Sequence, residues 1–163
     1  DVSEVKTADL GAMIRAFEHA RDTRGLSVVI AEGPCALLEQ RQAWLEELAL
    51  LLPASRVERF AYAEKWWKDI DKKARSKEDL RGLLVTWLSF WRDVLLQSSQ
   101  ANIAIINLDW QPQMDAITQL LSLEQAHAVV NRIEQTLDGL SKNVNTRLTL
   151  EVLMLDIPHL RMP

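Results

Sequence analysis

Ser76-Lys77-Glu78-Asp79-Leu80-Arg81-Gly82-Leu83-Leu84-Val85-Thr86-Trp87-Leu88-Ser89-Phe90-Trp91-Arg92-Asp93-Val94-Leu95 decides the fold. Leu80, Leu83, Leu84, Trp87, Leu88, Trp91, Val94 and Leu95 recur at three- and four-residue spacing, the period of one helix face. Ser76 and Asp79 stand as N-cap and N3 of a capping box, which marks where that helix begins. Trp87 and Trp91 are one turn apart within the leucine stripe, so at least one of them is expected in the core.

The same period runs outward in both directions. Towards the C-terminus, Met114, Ile117, Leu120 and Leu121 form a stripe. Ser122 and Gln125 make a second capping box, opening a helix with Ala126, Val129, Val130, Ile133, Leu137 and Leu140. Asn145 is placed to cap a last helix, Thr146 to Asp156, stopped by Pro158. Leu148, Leu150, Val152, Leu153 and Leu155 occupy more than one face of it, the pattern of a helix central in a bundle or buried at an interface. Ser98 to Pro112 carries no clear period.

Towards the N-terminus, Ser55 caps a helix whose inward residues are predicted to be Val57, Phe60, Ala61 and Trp67. The charged stretch Asp69 to Lys77 reads as an exposed connection. Leu37, Leu38, Leu45, Leu48, Leu51 and Leu52 belong to a helix that opens at Gly33-Pro34 and stops before Pro53. Thr7 is placed to cap a helix from Asp9 to Arg21, with Leu10, Met13, Ile14 and Phe17 on one side. Gly25 interrupts, and the short apolar run Leu26 to Ala31 fits a strand or a helical turn equally.

Composition agrees with an all-α bundle of about five or six main helices. The 163 residues are 48% hydrophobic and 26% charged, with only five glycines and five prolines, too few turn formers for a strand-rich fold. Apolar runs fall short of the roughly 18 residues that span a bilayer, and the start lacks a signal-peptide pattern. The chain begins at Asp1 and reads as a fragment or a processed product. Its single cysteine, Cys35, excludes an internal disulfide and a cysteine-based zinc site, and fits a reducing compartment.

Chemistry is sparse. Glycines 11, 25, 33, 82 and 139 are scattered, whereas a phosphate-cradling loop needs several within a few residues. No ATP binding or hydrolysis is therefore expected. His19, His127 and His159 lie on separate segments without the i, i+4 partner of a helical metal pair, and read as surface or tail residues. Cys35 sits where a helix dipole would favour a thiolate, but it reads as a small first-turn residue behaving as a small hydrophobe. Asp69 and Asp71 stand among Lys68, Lys72 and Lys73 and read as solvated charge pairing. No catalytic residue, cofactor, metal or small-molecule substrate is implied.

One charge asymmetry stands out. Residues 56–81 hold nine cations against six carboxylates, an excess of three in a chain whose net charge is −4. Trp66 and Trp67 lie inside that stretch, and cations beside aromatics can grip a single strand. This makes Lys65, Lys68, Lys72 and Lys73 candidate nucleic-acid contacts. The competing reading is a solvated helix end with a tryptophan packed inward.

Three stretches carry a resemblance. They are Ile30-Ala31-Glu32-Gly33-Pro34 running into Leu37-Leu38-Glu39-Gln40-Arg41; Trp87-Leu88-Ser89-Phe90-Trp91-Arg92-Asp93-Val94-Leu95; and Asn143-Val144-Asn145-Thr146-Arg147-Leu148-Thr149-Leu150-Glu151-Val152-Leu153-Met154-Leu155-Asp156-Ile157-Pro158. Phe60-Ala61-Tyr62-Ala63-Glu64 adds a fourth. In order and spacing, from about residue 8 to 158, the chain resembles the C-terminal part of the delta-prime subunits of bacterial DNA polymerase III.

That resemblance implies a clamp-loader subunit. Residues 1–33 would be the end of an AAA+ lid and residues 34–163 the helical collar domain through which the subunits form a ring. The implied partners are the delta and gamma or tau subunits, with the sliding clamp and primed DNA reached through the whole complex, in the cytoplasm. Leu150, Leu153, Met154 and Arg147 of the last helix are the candidate subunit-interface residues.

Overall fold

The computed structural model describes residues 2–6, 9–32, 36–142 and 144–160. It is an all-α bundle with one small sheet: seven α-helices and two strands among the described residues. The chain divides into two compact units, Asp1–Gln42 and Ala43–Pro163. The boundary falls within a helix, at 42/43, whereas the resemblance places the lid–collar junction at 33/34.

In the first unit, β1 (Val2–Lys6) pairs in parallel with β2 (Val28–Glu32), Val2 opposite Val28. α1 (Leu10–Asp22) supplies the crossover that parallel strands require. Of the two options for the apolar run after Gly25, the structure takes the strand. Asp9, not Thr7, caps α1; its carboxylate accepts from the Ala12 N–H at 2.8 Å. Thr7 lies outside the described residues, as do Gly33, Pro34 and Cys35. The predicted α1 stripe is only partly inward: Ala16 is buried, while Ile14 and Phe17 are about half exposed.

The second unit takes the last residues of α2 (Ala36–Leu51), then α3 (Arg56–Asp71), α4 (Lys77–Ser98), α5 (Gln111–Leu120), α6 (Leu123–Ser141) and α7 (Thr146–Asp156). α4 is the hub. It packs on α5 and α6, while α7 packs on α3 and α6. The buried face of α4 carries Leu80, Leu83, Leu84, Trp87, Phe90, Trp91 and Val94, so both tryptophans of the stripe are core. Capping boxes are complete at Ser55/Glu58, Ser76/Asp79 and Ser122/Gln125. Each satisfies orphan N–H groups at a helix start.

Two contacts set how α2 meets α4. Trp87 Nε1 donates to the Trp44 carbonyl at 2.8 Å. A Cβ at position 82 would lie 2.7 Å from the Trp44 ring, so only glycine admits this approach. The aperiodic segment after α4 is held by buried Asp93. One of its carboxylate oxygens accepts from the Ile106 and Asn107 N–H groups and from Asn107 Nδ2, at 2.8, 2.8 and 2.7 Å. These charge-assisted bonds explain why a stretch without helical period is nonetheless fixed.

Candidate assembly interface

α7 runs between two chemically different sides. Thr146, Leu150, Leu153 and Met154 are buried in the bundle's own core. Leu150, Leu153 and Met154, candidate interface residues on sequence grounds, are at most 2% exposed. They are therefore unavailable to a partner, because α3 and α6 already cover them. The opposite side of α7 carries Leu148, Val152 and Leu155 at i, i+4, i+7 spacing. Leu148 and Leu155 are 57% and 51% exposed, and Val152 is partly so.

Charge pairs border that stripe. Arg147 donates to Glu151 Oε1 at 2.8 Å along α7, and Arg132 of α6 pairs with Asp156. Of the four candidates, only Arg147 lies on the surface. A groove of about 220 Å³ follows the stripe between α6 and α7, lined by Arg132, Gln135, Thr136, Leu148, Thr149 and Val152. An apolar centre with a charged rim is the anatomy of a protein–protein contact patch. The pattern in the sequence marks α7 as apolar on more than one side, but does not say which side is turned outward.

α3 departs from its predicted face. Val57 and Phe60 are exposed, Ala61 is exposed and Trp67 only partly buried; the buried residues are Arg59, Ala63 and Trp66. The cause is Arg59. Its guanidinium donates to the carbonyls of Leu51, Leu52, Met154 and Pro158 at 3.0, 2.9, 3.2 and 2.8 Å, and to that of Ile157. α2 and α7 both end close to a proline, Pro53 and Pro158, which have no N–H to offer. Met154 would bond to residue 158 in a continued helix, so Arg59 takes the place of that missing donor. The carbonyl ends of two helices also hold the cation electrostatically without a carboxylate. Burial pulls the guanidinium below its ordinary pKa, far too little to discharge an arginine. Nothing in the local periodicity marks Arg59, since its partners lie at both ends of the unit.

The candidate nucleic-acid contacts are dispersed. Lys65 borders a pocket with Glu47, Tyr62 and Trp66. Lys68 pairs with Glu64 at 2.9 Å, and Lys72 is the exposed C-cap of α3. Lys65 shares its pocket with Arg75, and Lys73 lies with Lys77 and Arg147 in a separate cleft. Trp66 is buried with Arg75 stacked over its ring at 4.1 Å. Tyr62 lies beside Glu47 and donates to it; burial first, then that carboxylate, pushes its phenol far above the ordinary range.

Among the described residues, no group of three or more His, Cys, Asp or Glu is arranged to hold a metal. His127 neighbours Asn131 on α6, and His159 Nδ1 lies 3.3 Å from the Ala54 carbonyl. Cys35 is outside the described residues. No helix among them is long and apolar enough to cross a membrane. No protein-family model, curated protein or solved structure matches the chain.

Proposed function

We propose that Ala43–Pro163 is an assembly domain of the clamp-loader collar type, and that the chain is part of a subunit resembling delta-prime of bacterial DNA polymerase III. The observation that carries this is the outward stripe of α7, Leu148, Val152 and Leu155, left exposed while the other side of the same helix is fully used by the core. Apolar side chains at helical spacing with a charged border have more use at a contact than in water. The stripe lies inside Asn143 to Pro158, the segment in which the delta-prime resemblance is most specific.

In this reading the domain joins delta and gamma or tau subunits in a cytoplasmic ring. It has no chemistry of its own; the sliding clamp and primed DNA are engaged by the complete loader. The experiment is a pull-down of this chain with the collar domains of delta and of gamma or tau. Leu148→Asp with Leu155→Asp should abolish capture while helical content and melting stay at parental values. Leu150→Asp should instead unfold the bundle. Undiminished capture by the folded double variant, or no capture by the parent chain, would overturn the proposal.

A further inference from the structure

We infer that the α5 side of α4, with the segment joining these two helices, is a docking surface for a basic, apolar polypeptide segment of a partner protein. It is separate from the assembly stripe: α5 packs on α4, whereas α7 packs on α3 and α6. Between Arg92 and Arg132 the chain has no lysine or arginine, but it has Asp93, Asp109, Asp115 and Glu124. That stretch alone accounts for the net charge of −4, and the rest of the chain is balanced. Asp93 is buried, with Arg92 3.8 Å from its Oδ1. Asp109, Asp115 and Glu124 are exposed. Gln97 Nε2 donates to Asp115 at 3.0 Å, a neutral donor that leaves the carboxylate its charge.

The same stretch turns apolar side chains outward. Ile103, Ile106 and Leu108 are 56%, 60% and 64% exposed. Their backbone is fixed: Asp93 holds the Ile106 and Asn107 N–H groups, and Ile105 packs on the core. A surface ordered in advance loses little freedom when a partner covers it. A further observation does not depend on counting charges. Asp93 Oδ1, Gln97 Oε1 and Gln113 Oε1 are buried acceptors without a hydrogen-bond donor. Asp93 and Gln97 are one turn apart on α4, and Gln113 belongs to the neighbouring α5. Lysine and arginine carry several donors and no acceptor, so a cationic side chain complements such groups. The carboxylates repel nucleic-acid phosphates and anionic lipid alike. A small polyamine would leave the isoleucines in water. Aliphatic residues flanked by cations answer both the apolar centre and its acidic border.

The test is fluorescence anisotropy of the full chain with a labelled amphipathic lysine–leucine peptide of about 14 residues, four helical turns. A lysine–glutamine peptide of equal charge and a glutamate–leucine peptide of equal apolarity serve as controls. The lysine–leucine peptide should bind at least about tenfold more tightly than either. Ile103→Ser with Ile106→Ser should weaken its binding about tenfold. Asp109→Asn with Asp115→Asn should weaken it about fivefold and flatten its salt dependence. Leu148→Asp with Leu155→Asp, on the assembly stripe, should leave it unchanged, so the two surfaces succeed or fail separately. Circular dichroism establishes that each variant is folded; should the isoleucine pair not fold, Leu108→Ser and the aspartate pair still decide. Absence of binding at about 50 mM salt, or affinity unchanged in both the apolar and the aspartate variants, would overturn the site. So would equal affinity for the lysine–glutamine peptide, which marks charge attraction without an apolar contact, or loss of binding in the α7 variant.

Discussion

Replacing Arg59 by Met removes a buried hub while keeping most of its volume. The Arg59 guanidinium serves five carbonyls. Two of these have another donor: Leu51 O accepts from the Ala54 N–H at 3.2 Å, and Leu52 O from the Leu160 N–H at 2.9 Å. Met154, Ile157 and Pro158 would lose the bond that Arg59 supplies. A buried acceptor without a partner costs about 1–3 kcal/mol, and the methionine avoids a large cavity. Allowing for partial hydration of the outermost carbonyl, the expected loss is about 3–5 kcal/mol. That is a large part of the roughly 5–15 kcal/mol that holds a domain folded. All six tryptophans lie between residues 44 and 110, so their fluorescence in urea reports on the second unit alone. With a slope of about 2 kcal/mol per molar, the midpoint should fall by about 1.5–2.5 M. Arg59→Lys should recover only part of this, because an ammonium cannot fan out to carbonyls on two helix ends. A midpoint shift below about 0.5 M for Arg59→Met would refute the idea that this side chain closes the ends of α2 and α7.

Truncating Trp87 or Trp91 to Ala, both fully buried, should each cost about 3–5 kcal/mol in the same urea titration; losses under about 1 kcal/mol in both would remove them from the core. Gly82→Ala gains up to about 1 kcal/mol of helix propensity but drives a methyl to 2.7 Å from the Trp44 ring. A net loss of about 1–2 kcal/mol is expected, read as a lower melting temperature, whereas a more stable variant would show that the α2–α4 contact is loose. Hydrogen bonds from the Ser55 hydroxyl and N–H hold the Glu58 carboxyl below its ordinary 4.5. Those from the Ser76 N–H and hydroxyl do the same for Asp79, below 3.8. Because both folded values are depressed, the stabilisation is present above the ordinary values and lost as pH falls through the lowered ones. Glu58→Gln and Asp79→Asn should thus be less stable than the parent at about pH 6, and the gap should close towards about pH 2; a gap independent of pH would refute the carboxylate's role in the caps.

What could be read from the residues alone is whatever rests on near neighbours. The α4 stripe, the Ser76/Asp79 and Ser122/Gln125 boxes and the stop of α7 before Pro158 depend on spacings of three or four residues. Helix period and cap chemistry act over that distance. Val2–Lys6 as a strand was not legible in this way. Its partner is Val28–Glu32, and pairing across an intervening helix leaves no local mark.

Tertiary structure decided which side of a helix is turned inward when both sides qualify. α7 is apolar on opposite sides, so only the positions of α3 and α6 determine that Leu150, Leu153 and Met154 are core and that Leu148 and Leu155 face outward. α3 is rotated from its expected face because a charged residue, Arg59, is drawn inside by carbonyls from the ends of two other helices. Binary patterning assigns arginine to the surface, since burying an unpaired charge is costly. The orphan carbonyls that reverse this arise where Pro53 and Pro158 end their helices, and only folding brings those ends to position 59.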